Sequence, residues 1–212
     1  MHCLLYSSDT MLQPADMLLS ELIRIGRGLL VNLYPEREAR EMVFAYMESS
    51  AGTKRYTHIV EPQHQIADEL ADKCVSDFRR MASGEPLQYV LNEAWFYGRR
   101  FNVTPDVLIP RPETEILCRT VLTDLRDGVF APSGRVPRIL DLCTGSGCIA
   151  WTLALEMPGS EVIGADISDG ALTVAENQDF SEEMSHTGAF RPRFIKADVL
   201  SQPSYDIGKF DL

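Results

Sequence analysis

Basic residues are scarce in this chain: 20 Lys and Arg stand against 31 Asp and Glu, leaving 212 residues at a formal charge of −11. With no stripe of Lys and Arg to neutralise a run of phosphates, tight non-specific nucleic-acid binding is disfavoured. Long apolar runs are missing too; none approaches the roughly 20 residues that a bilayer-spanning helix needs. The opening MHCLLYSSDTMLQPADMLL has no basic cluster ahead of its apolar residues, so a secretory signal is not expected, and it lacks the Arg-rich character of an organelle leader. The five cysteines, Cys3, Cys74, Cys118, Cys143 and Cys148, are odd in number and scattered, which suits a reducing compartment better than a disulfide framework. His2, His58, His64 and His186 show no ligand spacing, and no metal site is expected.

What is present is ordinary for a globular protein: 45% hydrophobic and 24% charged residues, with room for one medium domain and a small one. The first ninety or so residues carry helical periodicity. Met17, Leu18, Leu22, Ile25 and Leu29 recur at three- and four-residue intervals, as do Ala39, Met42, Val43 and Tyr46. A third helix is expected from Gln65 to about Met81, on the stripe Ile66, Leu70, Cys74 and Phe78, stopped by Ser83-Gly84 and Pro86. From Glu93 the character changes. AWFYGRRFNV and the following VLIP read as two short strands, a hairpin. Pro112 then suits the first position of a helix whose early glutamates favour the positive end of its dipole. Beyond a polar linker, Asp127 to Pro137, strand-like and helix-like segments alternate: RILDLC, GCIAWTLALEM, EVIGADI, DGALTVAENQDF, RFIKADV and KFDL. Such alternation predicts an α/β fold, a parallel sheet covered by helices, with KFDL as its fourth strand.

The strongest chemical signal is ILDLCTGSGCIA. A strand delivers Asp141, the turn Thr144-Gly145-Ser146-Gly147 follows, and a helix begins at once. Glycines there allow a sharp turn and close approach to a ligand, towards which N–H groups at a helix start would point. Asp166 lies nineteen residues beyond Gly147 at the end of the next strand, where a carboxylate accepts from both hydroxyls of a ribose. These features indicate a nucleoside-containing cofactor. Gly145 to Ala150 formally satisfies G-x-G-x-x-G/A, which keeps a dinucleotide open. Asp141 would repel a pyrophosphate and attract the ammonium and sulfonium of S-adenosylmethionine. Asp198, ending the following strand, sits where an adenine edge would lie.

A longer stretch carries a resemblance. GEPLQYVLNEAWFYGRRFNVTPDVLIPRPETEIL, followed by ILDLCTGSGCIA, GADIS and KADV, is similar to the glutamine N5-methyltransferases that modify peptide-chain release factors. The similarity runs from about Gly84 to Leu212, and its most specific element is Pro110-Arg111-Pro112-Glu113-Thr114-Glu115. The resemblance implies a Rossmann-like class I methyltransferase domain at 113–212, a helical substrate-recognition domain at 1–92 and a β-hairpin connector at 93–112. It implies S-adenosylmethionine as cofactor, with Cys143, Thr144, Gly145, Ser146 and Gly147 around its methionine end beside Asp141. Asp166 would bind the ribose, and Asp198 with Val199 would flank the adenine. Phe101, Arg111, Glu113 and Thr114 would line the cofactor and substrate side. Cys143 stands where many methyltransferases have glycine, and Val199 where some relatives place an aromatic.

In that family the fourth strand runs into an Asn-Pro-Pro-Tyr motif that clamps the target amide. The motif does not occur in these residues, so no catalytic residue is assigned, and the chain is expected to stop just before that loop. The implied reaction of the longer protein is N5-methylation of the glutamine in a release factor's Gly-Gly-Gln loop, by a monomer with no membrane or stable nucleic-acid partner. It would work in the cytoplasm of a bacterium or in a mitochondrion. Two alternatives stay open: a nucleic-acid amino-methyltransferase, and a non-catalytic cofactor-binding protein should Leu212 be the true end.

Overall fold

The structure, a computed structural model, describes residues 16–129, 135–201 and 207–212. The N-terminal stretch to residue 15, with His2 and Cys3, and residues 130–134 of the expected linker lie outside the described residues. Contacts divide the chain into two units, 1–91 and 92–212.

The first unit is built on helices: α1 (Leu19–Leu30), α2 (Glu36–Ala51), α3 (Thr57–Val60), α4 (Asp68–Ala82) and α5 (Leu87–Leu91). Leu19, Leu22, Ile23 and Leu30 of α1 pack with Val43, Tyr46 and Met47 of α2 and with Cys74, Phe78 and Met81 of α4 in one buried cluster. The buried stripe of α1 is thus rotated from the expected one, and Ile25 is only half-buried. Met17–Leu18 are not helical. They form a short strand, β1, that pairs antiparallel with β2 (Gln65–Ile66), displacing the start of α4 to Asp68. Two residues of bridge tie the start of α1 to the start of α4, a long-range pairing that local periodicity does not report.

One polar group is embedded in this core. Tyr46, fully buried, donates its hydroxyl to Asp77 Oδ2 at 2.6 Å. Lys73 Nζ donates to the same oxygen at 2.6 Å, and Arg80 donates to Oδ1 at 3.1 Å. Burial works to raise the Asp77 pKa, but bonds from Lys73, Tyr46 and Arg80 outweigh it and hold the carboxyl below its ordinary value. The same burial, together with Asp77, pushes the Tyr46 phenol up.

The second unit opens with the hairpin β3 (Glu93–Phe96) and β4 (Arg99–Asn102), paired from Glu93↔Asn102 to Phe96↔Arg99. Its two-residue loop, Tyr97-Gly98, has φ of 51° and 75°, the twist that a tight hairpin requires. Both strands therefore come from AWFYGRRFNV. The expected second strand, VLIP, joins no sheet among the described residues: Val107 N–H turns back to the Thr104 carbonyl (3.1 Å), and Pro110 has no N–H to donate. Helix α6 (Pro112–Arg126) begins on Pro112 as expected.

Then β5 (Arg138–Leu142), α7 (Cys148–Glu156), β6 (Glu161–Asp166), α8 (Asp169–Glu176), α9 (Ser181–Thr187) and β7 (Arg193–Lys196) alternate. The strands form a parallel sheet in the order β5-β6-β7, so the α/β, Rossmann-like class holds. KFDL is not a full fourth strand as expected; only its last two residues make backbone bonds to the edge of the sheet. Asp211 N–H donates to the Arg138 carbonyl (2.8 Å) and Leu140 N–H to the Leu212 carbonyl (2.9 Å), so the segment runs parallel to β5. Glu161 N–H takes the neighbouring Pro137 carbonyl, which puts β6 on the opposite side. The spatial order is therefore β7-β6-β5 and then 211–212. Helix α7 is apolar nearly all round, and its Trp151 is fully buried among Phe96, Phe101, Phe180 and Phe194.

Removing the Asp77 carboxylate should take away the acceptor of the buried Tyr46 hydroxyl and the counter-charge of Lys73, while Arg80 keeps Glu85. We expect Asp77→Ala to cost about 2–4 kcal/mol in urea unfolding at pH 7 and Tyr46→Phe about 1 kcal/mol. The wild-type advantage should shrink as pH falls through the carboxylate range, since a depressed pKa stabilises only the ionised form. Equal costs for the two substitutions would mean that Asp77 is held by solvent instead of by this network.

Candidate functional site

Every residue singled out on the glycine loop lies at the carboxyl end of the parallel sheet, the edge where open α/β folds bind ligands. Asp141 is the penultimate residue of β5 and only 8% exposed. Its Oδ2 accepts the Thr144 hydroxyl at 2.6 Å and the Ala150 N–H at 3.2 Å. Ala150 is the third residue of α7, whose N-cap is Gly147 and has no side chain to offer. The strand carboxylate thus caps the helix from outside it, at the positive end of the dipole. Burial nevertheless raises the Asp141 pKa to about 6, with the bonds from Thr144 and Ala150 opposing the rise.

Asp166 closes the other side. Gly145 N–H donates to its Oδ2 at 2.9 Å and Ser168 N–H to its Oδ1 at 3.0 Å. The loop backbone is also bound to β6 directly, through Thr144 N–H on the Ala165 carbonyl (3.0 Å). This approach depends on Gly164. A Cβ there would stand 2.6 Å from the Phe194 ring and 2.8 Å from Thr144 Oγ1. Gly147 is constrained twice, by φ of 76° and by Trp151 and Ala175, which a Cβ would meet at 3.0 and 3.1 Å. Cys143 adopts φ of 58° with its side chain exposed, so the loop accepts a side chain in the left-handed conformation at this position.

Asp198 lies just beyond β7, and Ala197 N–H binds the Asp166 carbonyl at 2.9 Å, which sets the two strand ends side by side. Asp198 itself is exposed and accepts from Leu200 N–H (2.9 Å) and the Ser201 hydroxyl (2.8 Å), which lower its pKa in that order. Val199 is half-exposed next to it. Three carboxylates, from Asp141, Asp166 and Asp198, therefore line the ends of three adjacent strands around one loop.

The remaining candidates sit differently. Phe101 is fully buried, packed on Phe96 and Phe180, and presents no surface to a ligand; it supports the hairpin from within. Arg111 and Glu113 are exposed at the start of α6, and Thr114 is half-buried, its N–H on the Arg111 carbonyl. Glu115 accepts the Tyr97 N–H at 3.0 Å, which fastens the PRPETE segment to the hairpin turn. Sequence reasoning missed Gln178, a buried amide bound to both Asn102 and Ser146. It lies within DGALTVAENQDF, helix-like in the sequence, whereas α8 ends at Glu176.

A group whose folded pKa is raised favours the folded state at low pH, and that contribution is lost as pH rises from the ordinary 3.8 towards about 6. Asp141→Asn has no such titration. Relative to wild type, the variant should gain on the order of 3 kcal/mol in unfolding free energy between pH 4 and pH 7.5. A gap independent of pH would show that Asp141 is not desolvated as described.

No family model matches the chain. Among curated proteins it is 46% identical over 137 residues to the release factor glutamine methyltransferase of Chlorobaculum tepidum, covering 63% of this chain and 45% of that protein. It is 34% identical over 189 residues to the protein of the same description from Bacillus subtilis, covering 89% and 62%. Among solved structures, the SAM dependent methyltransferase from Agrobacterium tumefaciens is 20% identical with a TM-score of 0.35, over 49% of this chain and 31% of that one. The chain spans about half the length of the curated relatives it matches. Those relatives come from distant bacteria and differ in how much of the chain they match, yet they share one description. The chain belongs to the release factor glutamine methyltransferase family.

Proposed function

We propose that the second unit binds S-adenosylmethionine and forms the cofactor half of an enzyme that methylates the N5 nitrogen of a release-factor glutamine, the one in its Gly-Gly-Gln loop. The observation that carries this reading is the line of three carboxylates at adjacent strand ends beside a glycine loop. The donor set suits a cationic nucleoside. A pyrophosphate would meet Asp141 and Asp166 without a basic side chain from the loop to offset them, whereas an ammonium or sulfonium is attracted. Room exists as well: among the described residues, a Cβ on Gly145 would touch nothing within 4 Å.

Each residue then has a distinct task. Asp166 accepts ribose hydroxyls while its bond to Gly145 N–H keeps the loop closed against β6. Asp198 and Val199 flank the adenine, one by hydrogen bonding and one by apolar contact. Asp141 holds the turn and contributes negative charge beneath it; its Oδ1 accepts from no described group. When bound, the cofactor supplies an electrophilic methyl group on sulfur. The helical unit, 1–92 with its following hairpin, would serve to recognise the protein substrate, and the name shared by the relatives favours a release factor as that substrate.

Calorimetry distinguishes the cofactors. The chain should bind S-adenosylhomocysteine one to one and NAD not at all, and Asp166→Ala should weaken the former at least tenfold, the equivalent of a hydrogen bond to a charged group. Binding of NAD, or an unchanged dissociation constant in the variant, would count against the reading. Methyl transfer is tested with the whole gene product, release factor and cofactor, by locating the added mass on the glutamine.

A further inference from the structure

Gln178 follows α8 and is 3% exposed, yet no strand or helix claims it. Its Oε1 accepts the Asn102 N–H at 2.8 Å, and its Nε2 donates to the Asn102 carbonyl at 2.9 Å. A primary amide thus pairs with both backbone groups of a β4 residue, as an adjacent strand would. The second amide hydrogen goes to the Ser146 carbonyl, 3.2 Å away in the glycine loop. The partners fix the orientation of the group, because an N–H can only donate and two carbonyls can only accept. Asn102 Nδ2 reaches back to the Asn177 carbonyl at 3.5 Å, so the link is made from both sides.

Asp141 and Asp166 hold the loop by hydrogen bonds at Thr144 and Gly145, one residue or more short of Ser146. We propose that Gln178 is a positioning residue: it couples the hairpin to the loop, sets the Ser146–Gly147 peptide that opens α7, and so tunes the affinity of the loop for the nucleoside cofactor. This rests on the cofactor reading above for its last step only. The mechanical coupling stands without a ligand. Leucine, of similar size, would remove the partner of three backbone groups, of which the Ser146 carbonyl is buried and the Asn102 pair part-buried. Glutamate would keep the bond from Asn102 N–H but set a carboxylate against two carbonyl oxygens.

The test joins binding with loop exchange. At 15 °C, where the variants are checked for folding by circular dichroism, Gln178→Leu and Gln178→Glu should each bind S-adenosylhomocysteine about tenfold more weakly, the loss of one buried hydrogen bond's net effect. In ligand-free protein, amide exchange of Ser146, Gly147 and Cys148 should accelerate about tenfold, while that of Ile163 and Ala165 in β6 is unchanged. A merely structural role would lower the melting temperature and raise exchange throughout the unit without this split. If neither variant folds, exchange of the Gln178 side-chain amide in wild type decides: protection supports the link, and solvent-like exchange overturns it. Failure of wild type to bind S-adenosylhomocysteine would overturn the cofactor reading, while an unchanged loop in a folded variant would overturn the coupling.

Discussion

Burying a carboxylate costs free energy unless donors meet it, and Asp141 meets two where the chain turns from β5 into α7. Thr144 closes the turn on itself through that oxygen, and Ala150 is the helix amide that Gly147 cannot cap. From this contact the rest of the site follows. With the turn closed, Thr144 lies against Gly164 and Gly145 N–H reaches Asp166, so the loop joins two neighbouring strands. The electrostatic consequence is a negative floor under a backbone loop, unusual for a phosphate site and suited to a cation.

The second unit stabilises this edge from behind. Trp151 on α7 sits in an aromatic cluster with residues of the hairpin, and its indole N–H donates to the Ala175 carbonyl at 2.9 Å. Arg99 of β4, mostly buried, binds both Glu156 of α7 and Glu183 of α9. The hairpin is thereby fixed to the helices that flank the loop, and Glu115 carries that connection on to the PRPETE segment.

Much of this was legible in the sequence where the signal is local. Alternation of strand and helix gave the parallel sheet, and the spacing of Asp141, Gly147 and Asp166 placed the loop and both carboxylates. Pro112 marked the first residue of α6. What escaped depends on contacts between distant residues. Met17 and Ile66 pair across a chain reversal, so helical periodicity carried both into helices that exclude them. VLIP has strand composition, but its first N–H closes the turn on Thr104 and its last residue, Pro110, has none. Phe101 reads as a site aromatic, yet tertiary packing encloses it completely. Gln178 is polar by type and buried only because β4 and the loop present complementary backbone groups to it.

The proposed cofactor site is the glycine loop with the carboxyl ends of β5, β6 and β7. Titrating isotope-labelled protein with S-adenosylhomocysteine and following amide resonances tests it most directly. Saturable shifts should be largest at Gly145, Ser146 and Gly147, at Asp166 to Ser168, and at Asp198 and Val199, with the helical unit unmoved. Shifts centred elsewhere, or none that saturate, would contradict the account.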